Sequence, residues 1–267
     1  MAVMTGKELA LKCVDIAENY RTVYLYGAPG MPVTEATITQ KAAQYPNQNT
    51  PARVAKYRSL LGKGYWGFDC VNLIKAILWG WEADFSKTMG GAKYASNSVP
   101  DVNADTLMGM CKGLSTTGWA GMPVGAALGI PGSPGVSGHI GVYIGDGLAV
   151  EATPSWEDKV QITAVGNIGT RPGRNTRTWT RWGLLPWIDY SVEVKPEPPP
   201  VTPPEPPVTP PPGPSPWAAE AWEWAVRQGI TDGTNPQGQC TREQVVTMMY
   251  RQWSRLAEEI AGIIVGA

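Results

Sequence analysis

The chain has 267 residues, 43% of them hydrophobic, with 22 Lys and Arg against 23 Asp and Glu and a formal charge of −1. That balance removes the electrostatic case for a nucleic acid or an anionic membrane as partner, and the length suits one moderate domain plus a smaller one. Four scattered cysteines, Cys13, Cys70, Cys111 and Cys240, make no CxxC pair and no Cys/His cluster, so no metal site, cofactor or disulfide framework is expected and the thiols read as reduced.

The first segment, MAVMTGKELALKCVDIAENYRTV, has no continuous apolar core, since Glu8, Asp15 and Glu18 interrupt it. It reads as an amphipathic helix over 7–20, with Leu9, Leu11, Val14 and Ile16 as its stripe, and not as a secretion signal. Residues 23–26 predict a short strand or turn, 31–49 a polar irregular stretch, and 51–61 a helix. Residues 70–81, CVNLIKAILWGW, predict a strongly apolar helix. From Met122 the texture turns β-like, with strands over 139–144, 148–152, 160–164 and 178–185. Gly145-Asp146-Gly147 is the tight turn of a hairpin. Helices first and strands later predict an α+β domain over 1–192. No run reaches transmembrane length.

Residues 193–216 are a proline-rich linker. The stretch from Lys195 to Trp217 holds 13 of the 25 prolines, which cannot build helix or sheet and favour extended polyproline II. Beyond it, 217–267 predicts a small all-α module. A helix over 217–227 stops at Gly229, and a second opens at Thr241, where Thr241 and Gln244 fit a capping box. Val245, Met248, Met249, Trp253 and Leu256 form the stripe of that second helix.

His139 is the chain's only histidine, so any Cys–His chemistry must use it. Cys70 stands where an apolar helix begins, and a helix N-terminus favours a thiolate and presents N–H groups to an oxyanion. His139 would be general base and then acid. Glu151, an even twelve residues on across a tight turn, would orient the ring. Of the 12 tryptophans most are expected in the core and at its rim. A few, with Trp66 and Trp156 as candidates, are expected to line a groove for substrate.

FDCVNLI and HIGVYIGDGLAVE, in this order and spacing, resemble the NlpC family of papain-like cell-wall cysteine peptidases over roughly residues 5–190. The resemblance implies N-terminal helices packed on an antiparallel sheet, with Cys70 as nucleophile, His139 as base and Glu151 as the orienting residue. TVYLYGAPG resembles the family's tyrosine motif, which implies Tyr24 beside the oxyanion, with Tyr26 and Tyr65 as alternatives. Asp69 is expected to cap the helix or to contact substrate. The chain departs from the family in Val71-Asn72 after the cysteine, in the insertion over 28–64, in a glutamate as third residue, and in MPVGAALGIPGSPG before the histidine strand. WAAEAWEWAVRQGITDGTNPQGQCTREQVVTMMYR resembles one S-layer homology repeat, which implies binding of a secondary wall polymer, with Thr241 and Arg242 as contacts, or else oligomerisation.

The resemblance implies a hydrolase of the phage-endolysin or autolysin kind. It would cleave an amide bond in the peptidoglycan stem peptide, between D-glutamate and the following diamino acid, without metal or cofactor. An N-acetylmuramoyl-L-alanine amidase with the same chemistry and a non-catalytic wall-binding protein are the alternatives. The protein is expected to be made in the cytoplasm and to act on the wall after release.

Overall fold

The computed structural model describes residues 3–191, 214–215, 218–231, 245, 247–249 and 252, and the chain divides into two units, 1–195 and 196–267. The first unit opens with strand β1 (Met4–Thr5), helix α1 (Gly6–Asn19), strands β2 (Thr22–Tyr24) and β3 (Pro29–Pro32), helices α2 (Glu35–Gln44) and α3 (Pro51–Arg58), strand β4 (Trp66–Phe68) and helix α4 (Cys70–Leu78). It continues with α5 (Ala104–Met110), β5 (Lys112–Ser115), a 3-10 turn at Trp119–Gly121, β6 (Ala127–Ile130), β7 (His139–Gly145), β8 (Leu148–Thr153), β9 (Lys159–Val165), β10 (Thr176–Arg177), β11 (Arg181–Leu184) and β12 (Ile188–Asp189). The domain is α+β.

Seven strands form the main sheet in the order β10-β9-β8-β7-β6-β11-β5, and a three-stranded sheet runs β2-β4-β3. The centre of the main sheet, β6 to β9, is antiparallel. Strand side chains alternate between faces, and here the two faces do different work. Ile140, Val142, Val150, Ala152 and Val160 join the main core with α1 and α4. Tyr143, Ala149 and Val165 face the other way and pack with Met122, Leu128 and Trp179.

Helix α4 is central. All nine of its residues are buried, Asn72 and Lys75 included, as an apolar surface on every side requires. It ends at Leu78, three residues before the expected stop, because Gly80 takes a left-handed φ of +84°. Helix α1 starts on a capping box. Thr5 Oγ1 accepts from Glu8 N–H at 3.2 Å while Glu8 Oε2 accepts from Thr5 N–H at 2.7 Å. Its buried stripe is Leu9, Ala10, Cys13 and Ile16, and Leu11 lies outside it, exposed.

The stretch 31–49 is not irregular, because α2 occupies its middle. Thr34 Oγ1 accepts the Thr37 N–H at 3.1 Å, and a narrow stripe of Thr37, Ile38 and Lys41 is buried. So short a stripe among polar residues hides the helical period. Helix α5, capped by Asn103 on the Thr106 N–H, was likewise not expected.

In the second unit, α6 spans Ala219–Arg227 and Gly229 turns at φ +65°. Val245 and Met249 are exposed and Met248 is half-buried. Trp217, Thr241, Arg242, Gln244, Trp253, Leu256 and most of the linker lie outside the described residues.

Two backbones meet at Gly6, where a Cβ would stand 2.2 Å from the Val124 carbonyl oxygen; on Gly125 (φ +87°) it would meet the Gly6 Cα at 2.4 Å. Gly6→Ala should therefore destabilise the first unit by about 1–3 kcal/mol through overpacking. Gly109→Ala on α5, with nothing within 4 Å, should stabilise it by about 0.5–1 kcal/mol. Urea unfolding of both variants checks the pair.

Candidate active site

Asp69 sets the N-terminus of α4. Its Oδ1 accepts the Asn72 N–H at 2.8 Å, and its Oδ2 accepts the Asn72 side-chain amide and the Gly27 N–H, both at 2.7 Å. These bonds cap the helix and clamp it to the turn between β2 and β3. The carboxylate is thereby occupied by the protein. Burial nevertheless pushes its pKa up, against the pull of those donors and of Lys75.

Cys70 is the first residue of α4. The backbone N–H groups of Ile140, Val71 and Cys70 itself lie close enough to favour its charged form. Ile140 belongs to β7, immediately after His139, so the thiol lies against the start of the histidine strand. Burial, followed by the Asp69 charge, pushes the thiol up to about 12 despite those donors. At neutral pH the resting group is S–H, and it would need a base to become a nucleophile.

His139 Nε2 lies 2.7 Å from Glu151 Oε2. The observed register pairs Val142 with Val150; continued along the strands, it places Glu151 diagonal to His139 on the same face. Gly141 stands between them, and a Cβ there would lie 2.8 Å from the Trp179 ring. That gap admits the indole, which stacks on His139 with centroids 5.5 Å apart and planes 9° apart.

Glu151 is fully buried, which favours protonation, but bonds from His139 and Arg177 outweigh burial and hold the carboxyl below its ordinary value. Arg177 Nε donates to Oε2 at 2.6 Å and to Oε1 at 2.9 Å, and Thr163 Oγ1 donates to Oε1 at 2.8 Å. An ionised acceptor at Nε2 requires the proton on that nitrogen, which leaves Nδ1 as the basic atom of the ring.

Tyr24 is buried on β2. Burial, then the nearby Cys70 and Asp69 charges, push its phenol well above its ordinary value, so it remains an O–H donor beside the thiol at any physiological pH. Tyr26 bonds Ser137 Oγ at 2.9 Å and, with Cys70, lines a cavity of about 570 Å³. Tyr65 packs against a separate apolar cluster with Tyr57 and Ile38.

Tyr24 and Asp69 thus stand beside Cys70, and the His139–Glu151 pair sits on the strands next to the thiol, one residue before the Ile140 amide that faces it. Trp66 is corrected. At 1% exposure, wedged between Trp81 and Phe85, it offers no surface to substrate. Trp156 is exposed, with the Arg177 guanidinium 4.7 Å above its ring. Arg177, Thr163 and Trp179 escaped the sequence reading. The demand of a buried glutamate for donors was the available signal, but nothing in the spacing says which strand supplies them.

No protein-family model, curated protein or solved structure matches this chain. The functional reading rests on its residues and their geometry.

Arg177→Met should lower stability at pH 7 by about 3 kcal/mol, because it strips a buried carboxylate of its cation. A carboxyl held below its ordinary pKa contributes stability that is present above the carboxylate range and lost as pH falls through its native value. The deficit should therefore shrink at pH 4, as urea titrations at the two pH values will show. Iodoacetamide should label Cys70 slowly at pH 7 and about tenfold faster per pH unit up to pH 10, following the thiolate fraction; a flat profile by mass spectrometry would contradict a protonated resting thiol.

Proposed function

We propose that the first unit is a peptidoglycan hydrolase of the papain-like NlpC type, cleaving the stem-peptide amide between D-glutamate and the following diamino acid. The observation that carries this reading is the buried Glu151 carboxylate on His139 Nε2, together with a cysteine at a helix N-terminus that lies against the amide after His139. In chain order and in secondary structure, Cys on a helix, His on a strand and an acidic residue on the next strand repeat the resemblance noted above.

Cys70 Sγ attacks the scissile carbonyl carbon while its proton passes to His139 Nδ1, and the negative charge develops on the carbonyl oxygen. The N–H groups at the start of α4 and the Tyr24 hydroxyl supply donors to that oxygen. The imidazolium, stabilised by Glu151, returns its proton to the departing amine, and the C–N bond breaks to leave a thioester. His139 then deprotonates a water that attacks the thioester, releasing the carboxylic acid and restoring the thiol. No step calls for a metal or cofactor.

The second unit, by its resemblance to an S-layer homology repeat, would hold the enzyme on a secondary wall polymer or pair it with another copy. The protein would act on the wall after release from the cytoplasm. Among the described residues no helix is long and apolar enough to cross a membrane.

Purified Gram-positive peptidoglycan tests the reading. The wild type should clear it, Cys70→Ala should not, and His139→Ala should lose at least about 10²-fold in rate. Product mass names the bond: a new amine inside the peptide marks the endopeptidase, whereas L-Ala freed from muramic acid marks an amidase. Clearing by Cys70→Ala would overturn thiol chemistry altogether.

A further inference from the structure

The cavity that opens on Cys70 contains a cation that the steps above do not use. Lys41, near the C-terminal end of α2, lines it from the segment 28–64, where the chain departs from the family it resembles. The residue is 8% exposed. Its ammonium donates to Gln44 Oε1 at 3.0 Å, and among the described residues it forms no ion pair with any carboxylate.

The carboxylates whose charge reaches Lys41 are Asp69 and Asp101, and both are engaged elsewhere. Asp69 accepts from Gly27 and Asn72. Asp101 takes the Lys75 ammonium and the Tyr94 hydroxyl. The contrast with Lys75 is instructive. That residue is buried still further, but its ammonium has Asp101 and the Val102 carbonyl oxygen as partners. Burial works against the Lys41 charge and holds its pKa below the ordinary lysine value. A withdrawn ammonium without a counter-ion is costly to the free protein, and a ligand carboxylate would relieve that cost with a charge-assisted hydrogen bond.

We propose that Lys41 is the counter-ion for a free carboxylate of the bound substrate, so that the cleft selects an acidic stem peptide over its amidated counterpart. This inference rests on the hydrolase reading of Cys70 for its substrate class. It makes Lys41 a specificity residue supplied by an insertion, acting on substrate binding and not on the chemical step.

The test uses the full chain and two matched pairs of synthetic stem peptides, one pair differing as carboxylate or carboxamide at the glutamyl residue, the other at the diamino acid. The wild type should prefer the acidic member of one pair by about tenfold or more in kcat/KM. Lys41→Met should erase that preference by raising KM for the acidic peptide, with kcat within about threefold and the amidated peptide unaffected, and Lys41→Arg should retain it. Calorimetric binding of the same peptides to Cys70→Ala and to Cys70→Ala/Lys41→Met gives a second readout independent of turnover. If the wild type cleaves nothing, the hydrolase reading fails, while a Lys41-dependent preference in binding still supports the carboxylate site. A preference that survives Lys41→Met, or an equal loss on both members of each pair, overturns the proposal. A melting temperature for Lys41→Met at or above that of the wild type shows that the fold is intact, the result expected when a cation lacking a partner is replaced by an apolar side chain.

Discussion

The Asp69 carboxylate is the pin on which the site depends. It has almost no access to water, and its three hydrogen bonds join two parts of the chain, the first turn of α4 and the turn between β2 and β3. Through the first it fixes the direction of the N–H groups around Cys70. The second contact adds to the β2–β4 pairing that sets Tyr24 opposite Phe68, two residues before the thiol. The burial of all of α4 makes this possible, because a helix packed on every side cannot rotate to relieve a poor cap.

A second constraint operates across the sheet. Glu151 could not remain ionised in so dry a place alone, and the two strands that follow it supply the remedy in Thr163 and Arg177. The imidazole is then fixed from both sides, by the carboxylate at Nε2 and by the face of Trp179. The two faces of one sheet divide the labour, with aliphatic residues against the helices and a polar network opposite them. Cys70 lies against the start of β7, at the Ile140 amide that follows His139.

The sequence made some of this legible and hid the rest for physical reasons. Periodicity revealed α1 and α4 because their stripes are long and apolar, and the hairpin was readable from its Gly-Asp-Gly turn. The alignment of His139 with Glu151 required only an even offset across that turn. Helix α2 was hidden because most of it is polar and its buried face is three residues wide. Trp66 was misjudged because a tryptophan's fate depends on which aromatic rings surround it, and Trp81 and Phe85 lie far along the chain. Arg177 was invisible because it sits on a two-residue strand that no pattern marks, and its importance comes entirely from a glutamate 26 positions earlier.

The short parallel pairing of β1 with β12 has a consequence of another kind. Met4 and Thr5 lie beside Ile188 and Asp189, and the Val3 amide bonds the Trp187 carbonyl oxygen at 2.7 Å. The chain therefore enters the first unit and leaves it at the same corner. Anything appended ahead of residue 3 emerges beside Ile188 and Asp189. Joining the two ends with a brief loop and cutting a surface turn elsewhere would preserve every contact of the site, so the order in which the polypeptide is threaded is separable from the architecture it produces.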